Sequence, residues 1–257
     1  KIEDACIIFN RILDINPQNI NSLINIGIAY YELNKLDQAL EYLNKAKYLK
    51  KRQDEVFFIL GLIFEKNKKF DKAIFNYNES IKYNSNNSDA LINLGNIYLQ
   101  NNNYDNAKIL YEKAIKFKPN DPNIYHSLGI VFTKLNNPNK AVEFYSKSKE
   151  LNTNNPLTFY NLGYLLSKNL QFNESIKNYY KALKLDSKNP KFYYNLAIAE
   201  TELGNFAAAI TNYKMALKIS TDYTSAKYNL ARLHLATENF SEGWSEFENR
   251  HHENNVS

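Results

Sequence analysis

Of the residues able to do chemistry, only carboxamides are spaced so as to build a shared surface. Asn25, Asn93, Asn161, Asn195 and Asn229 lie 34 residues apart or at a multiple of that spacing, and Ile59 and Ser127 hold the two places between. A carboxamide offers an acceptor beside its donors, which matches the C=O and N–H of an extended peptide backbone. Asparagine makes up roughly one residue in six, which by chance would fill about one of seven places. It is also a poor mid-helix residue, because its amide competes for backbone hydrogen bonds. The row therefore asks for an explanation beyond composition.

Other chemistry is poorly supported. His126, His234, His251 and His252 form no HExxH and join no Cys/His ligand set. His234 falls on a core position. His126 falls on the same face as the asparagines, where packing and ligand contact both fit. The run His251-His252-Glu253 lacks further ligands, so neither a metal nor a cofactor is expected. There is no GxSxG elbow, P-loop or GxGxxG, since every glycine has a packing or turn role. The chain is not expected to be an enzyme in itself.

The elements that position the asparagines follow from the same period. Gly27, Gly61, Gly95, Gly129 and Gly163 recur every 34 residues, continued by Ala197 and Ala231, so position 8 of each unit is small. Ala39, Ala73, Ala107, Ala141, Ser175, Ala209 and Gly243 form a second small series at position 20. Between them fall bulky residues: Ile26, Leu60, Leu94, Leu128, Leu162, Leu196 and Leu230 at position 7, and Leu43, Tyr77, Tyr111, Tyr145, Tyr179, Tyr213 and Phe247 at position 24. Spacings of three and four put each set on one helix face, so every unit is a helical hairpin crossing closely at its small residues. All six prolines fall in linkers or first helical turns. Asn, Lys or Gly near positions 15 and 16 suits left-handed turns between the two helices.

This pattern resembles the tetratricopeptide repeat over the whole chain. The expected units are 20–53, 54–87, 88–121, 122–155, 156–189, 190–223 and 224–257, with 1–19 as the second helix of a preceding repeat. The resemblance implies an all-α fold, an α-solenoid of antiparallel helical hairpins winding into a right-handed superhelix with a concave inner face. First-helix positions 2, 5, 6, 9, 12 and 13 line that face in the family, which places the asparagine row on it. Stretches 91–98, including Asn93 and Asn96, and 160–163 are similar to the repeats of O-GlcNAc transferases and SPINDLY-type proteins, in which an asparagine ladder holds substrate peptides. Ile59 and Ser127 depart from that ladder, so repeats 5 to 7 are its stronger segment. Tyr160, Tyr164, Tyr194 and Tyr228, with Lys191 and Arg232, join it there, although tyrosine is plentiful, 20 in all. No repeats supply the family's basic clamp for a C-terminal carboxylate. The ending 239–250, with Gly243-Trp244, Phe247-Glu248 and Arg250, resembles the GW..(Y/F)E..R close of bacterial arrays that precede glycosyltransferase-like domains.

Bulk properties add limits. The net charge of +5 comes mainly from scattered lysines, without the clustered arginines of a nucleic-acid reader. One cysteine, Cys6, excludes an internal disulfide framework and accords with a cytoplasmic setting. No apolar run approaches the roughly 20 residues of a membrane span. The expected function is a non-catalytic scaffold holding an extended protein or peptide segment between Asn93 and Asn229. Two alternatives stand beside it: the recognition arm of a larger glycosyltransferase-like enzyme, and a spacer or self-association module. The oligomeric state is open.

Overall fold

The computed structural model describes residues 2–237, 239–241 and 243. Helices make up the regular structure of these residues, joined by short turns. They are α1 (Ile2–Ile15), α2 (Ile20–Glu32), α3 (Leu36–Tyr48), α4 (Gln53–Lys66), α5 (Phe70–Tyr83), α6 (Ser88–Gln100), α7 (Tyr104–Phe117), α8 (Pro122–Lys134), α9 (Pro138–Glu150), α10 (Pro156–Lys168), α11 (Phe172–Leu185), α12 (Pro190–Glu202), α13 (Phe206–Ile219) and α14 (Thr224–Ala236). The chain forms two compact units, Lys1–Ser127 and Leu128–Ser257. In the first, α1 to α7 pack each on the next, and α2 also meets α4. In the second, α9 to α14 do the same, and α10 also meets α12. Trp244, Phe247, Arg250, His251 and His252 lie outside the described residues.

Asparagine starts many of these helices. The side-chain oxygens of Asn19, Asn87, Asn103, Asn137, Asn155 and Asn189 accept from backbone N–H groups of the first turn that follows. Each satisfies one of the donors a helix start leaves open. Part of the asparagine excess is therefore capping chemistry. The turns inside the hairpins use a left-handed residue at repeat position 15: Asn34, Lys68, Asn102, Asn136, Leu170 and Gly204. Leu170, at φ 61°, is the least suited of these, since a side chain in this region is disfavoured by roughly 1–2 kcal/mol.

Each hairpin core is a bulky side chain of the second helix pressed on a small residue of the first. A Cβ added to Gly61 would lie 2.5 Å from Tyr77 Cε1, and one on Gly129 would lie 2.5 Å from Tyr145 Cε1. Tyr77, Tyr111, Tyr145 and Tyr179 are fully buried. Position 8 must be small because the bulky side chain at position 24 lies directly against the first-helix backbone there, in the space a Cβ would take. A buried ring of this kind brings a phenol hydroxyl into the interior, where it requires a partner.

Candidate functional site

The buried tyrosine hydroxyls organise the asparagine row. In the first unit Tyr77 donates to Glu65 Oε2 at 2.6 Å and accepts from Asn93 Nδ2 at 3.4 Å. Tyr111 donates to Asn96 Oδ1 at 2.7 Å, with Ser127 beside it. In the second unit Tyr145 accepts from Asn161 Nδ2 at 3.2 Å, with Thr133 also at its hydroxyl. Burial pushes the Tyr111 and Tyr145 phenols up to about 12, and Ser127 in the first case and Thr133 and Asn161 in the second hold the rise back. Burial, reinforced by Glu65, raises Tyr77 as well. All of them stay protonated at neutral pH.

Tyr179 breaks the pattern. Its hydroxyl is buried and makes no hydrogen bond among the described residues. Ser175, close by, donates its own hydrogen to the Gly163 carbonyl at 2.7 Å. Asn195, sixteen residues on and therefore equivalent to Asn161 beside Tyr145, turns elsewhere. Its Nδ2 donates to Tyr160 Oη at 3.2 Å and to the Lys191 carbonyl at 2.9 Å. Asn229 shares the second arrangement, donating to Tyr194 Oη at 3.2 Å, and it also lies at the Tyr213 hydroxyl.

A rule about residue types emerges. Where position 24 is tyrosine, position 6 of the next repeat is Asn or Ser: Asn93, Ser127, Asn161, Asn195 and Asn229. Where position 24 is Leu43, the following position 6 is Ile59, and both are buried in one apolar cluster. Ile59 is thus an apolar match to Leu43, because a lone carboxamide there would face no hydroxyl. Asn25 follows Phe9 and is exposed. The row is part of the packing between repeats as well as a surface.

In the second unit the same side chains border three shallow pockets at successive repeats. The first, ≈ 320 Å³, lies among Thr133, Lys134, Tyr145, Tyr160, Asn161 and Tyr164. The second, ≈ 280 Å³, is bordered by Tyr164, Lys168, Asn195 and Glu202, and the third, ≈ 290 Å³, by Glu202, Tyr213, Asn229 and Arg232. Asn161, Asn195 and Asn229 point their N–H groups at tyrosines, and their Oδ1 atoms accept no hydrogen bond from any described residue. Tyr164 and Tyr228 are exposed aromatic walls, each carrying a cation one turn on: Lys168 Nζ sits 5.6 Å from the Tyr164 centroid and Arg232 Cζ 5.6 Å from that of Tyr228. Tyr160 and Tyr194 are half-buried instead, packed on Phe192 and Tyr223 with centroids 4.9 Å apart in each case.

Some expected site residues lie elsewhere. His126, at the position of Tyr160 and Tyr194, is buried, and burial pushes its imidazole down to about 4. The shorter ring is enclosed where a phenol reaches the surface, so His126 is a neutral interior group. The Lys191 side chain is exposed, and its backbone carbonyl holds Asn195. Thr133 and Thr201, partners of Tyr145 and Tyr213 at repeat position 12, were not among the expected residues. Their recurrence opposite position-24 tyrosines is the signal that could have found them. No group of His, Cys, Asp and Glu among the described residues could hold a metal ion. None of the described helices is long and apolar enough to cross a membrane.

Paired helices repeating every 34 residues, with a polar row set between buried tyrosines, define an all-helical repeat protein. The Tetratricopeptide repeat family model matches residues 20–53, 54–87, 122–155 and 190–223, more than half of the chain. Further repeat models match 76–109, 95–136 and 171–200. The chain therefore belongs to the tetratricopeptide repeat family. No curated protein matches it in sequence. Among solved structures it is similar in fold to PilF of Pseudomonas aeruginosa, at 19% identity and TM-score 0.72, covering 83% of this chain and 97% of that one. A structure of MamA is similar at 27% identity and TM-score 0.54, over 58% of this chain and 88% of that one. YrrB, described as a TPR protein with an unusual peptide-binding site, is similar at 21% identity and TM-score 0.50, over 85% and 95%.

Proposed function

We propose that this chain is a protein-interaction scaffold that holds an extended peptide along the first-helix face of its second unit. The observation that carries the reading is the set of three Oδ1 atoms, on Asn161, Asn195 and Asn229, at the borders of the pockets and engaged by none of the described residues. First helices pack about 10 Å apart, close to one three-residue turn of a chain extended in the polyproline-II form at about 3.1 Å per residue, which turns an N–H to the same side at each repeat. Each oxygen therefore accepts one peptide N–H per repeat, and the carboxamide N–H stays on its tyrosine. Such a grip reads backbone, not sequence. Tyr164 and Tyr228 supply apolar walls for side chains between rungs. YrrB supports the reading as a repeat protein of similar fold described with a peptide-binding site.

The test exploits Ser127, which stands at position 6 beside Tyr111. Asn161→Ser, Asn195→Ser and Asn229→Ser combined keep a hydroxyl near each tyrosine but withdraw the carboxamide oxygen. Against a peptide selected from a random library on the wild-type protein, each lost hydrogen bond is worth about 1 kcal/mol. The triple variant is expected to bind about 100-fold more weakly, with its circular dichroism unchanged. Equal affinity of the folded triple variant would overturn the reading.

A further inference from the structure

We infer that the second unit carries another binding site, for an acidic segment of a partner protein, in the cleft between α9, the linker 151–155 and α11. This cleft, ≈ 420 Å³, is larger than any of the three pockets on the first-helix face. Lys149, Lys177 and Lys181 line it, against a single carboxylate, Glu174. Glu174 is already bound to Lys177 at 2.6 Å, and Lys177 and Lys149 together hold its carboxyl below the usual range. Lys181 lies with its ammonium 5.9 Å from the centroid of Phe159, a buried ring at the floor of the cleft. No carboxylate among the described residues pairs with Lys149 or Lys181. Two positive charges are thus left facing one concavity.

Lys177 and Lys181 are not repeated at the equivalent places of the first unit, although the linker there is itself basic, with Lys50, Lys51 and Arg52. The corresponding cleft of the first unit, ≈ 310 Å³, is lined by Lys47, Asp71, Lys72 and Phe75. Phe75 there corresponds to Lys177, and Glu79 corresponds to Lys181. Glu79 in turn binds Lys82 at 3.2 Å. The lining of that first cleft carries an excess of +1, two lysines against Asp71, whereas the second carries an excess of +2 from lysines on two helices. Lysine is a compact cation suited to carboxylates presented at several points. The buried Phe159 offers no face on which a nucleobase could stack. An extended run of Asp or Glu satisfies both rows of ammonium groups at once, which a lone anion in a cleft of this size does not.

This site is independent of the asparagine row, so the two are separable by experiment. Fluorescence anisotropy of a fluorescein-labelled hexaglutamate peptide is measured at low ionic strength, where surface charges act at full range. Lys149→Glu with Lys181→Glu is expected to weaken binding about tenfold or more, with helicity retained. A control of identical net charge, Lys188→Glu with Lys218→Glu, is expected to change it by less than about twofold. The Asn161, Asn195 and Asn229 triple serine variant is expected to bind the peptide as wild type does. The proposal is overturned if the wild-type protein does not bind hexaglutamate, or if both lysine pairs weaken it equally. Displacement of the peptide by equimolar inorganic phosphate overturns it too, as that would mark a site for a small anion.

Discussion

Replacing Tyr145 by alanine is expected to destabilise the protein by about 3–5 kcal/mol, the range for deleting a large buried ring. The ring is fully buried and lies where a Cβ on Gly129 would otherwise sit, so the hairpin cannot close over the void without moving its backbones. Phenylalanine variants then separate ring from hydroxyl. Tyr145→Phe strands the Asn161 N–H and is expected to lose about 1 kcal/mol. Tyr179→Phe removes a hydroxyl that is buried and makes no hydrogen bond among the described residues, so it is expected to be neutral or to gain about 1 kcal/mol. Urea denaturation followed by circular dichroism measures both. Equal losses in the two would show that the Tyr179 hydroxyl has a hydrogen-bond partner, with Ser175 the nearest candidate.

Acidification supplies the second large effect. Burial lowers the His126 imidazole to about 4 in the folded chain, against about 6.5 when unfolded. The unfolded chain therefore binds a proton first as pH falls, and stability drops. The contribution is fully present above pH 6.5 and is lost progressively down to about 4, amounting to about 3 kcal/mol. His126→Gln removes the titrating group. Between pH 7.5 and 4.5 its unfolding free energy should fall by about 2–3 kcal/mol less than that of the wild type. Parallel declines in the two proteins would mean that His126 is not enclosed as described.

Periodic features were legible in the sequence because one physical constraint acts at every repeat. The small residues at positions 8 and 20 follow from close packing inside each hairpin, and the prolines and left-handed turns from local conformation. None of these depends on which neighbour a side chain chooses. The asparagines are different. Asn161 and Asn195 occupy equivalent places, yet one bonds a tyrosine sixteen residues back and the other a tyrosine thirty-five back. That choice is made by side-chain torsion and packing between repeats, which spacing does not encode. The pairing of Leu43 with Ile59 was readable in principle, since both positions change from polar to apolar together.

Electrostatic detail was hidden for another reason. Scattered lysines look alike along a chain, and only the fold brings Lys149, Lys177 and Lys181 to one cleft while leaving Glu79 and Lys82 paired in the other unit. His126 was legible as a face position but not as an enclosed one. A position label gives the direction of a side chain, and its reach depends on length. Tyr160 and Tyr194 extend past the packing layer from the same position.

A peptide backbone held by the carboxamide oxygens of Asn161, Asn195 and Asn229 changes the surroundings of those side chains first. Side-chain amide resonances of ¹⁵N-labelled asparagine report on this change directly, followed by NMR as the library-selected peptide is added. Saturable shifts are expected at these three carboxamides and at none of Asn25, Asn86 or Asn154, all exposed. Binding that leaves all three carboxamides unmoved would contradict a grip by these oxygens.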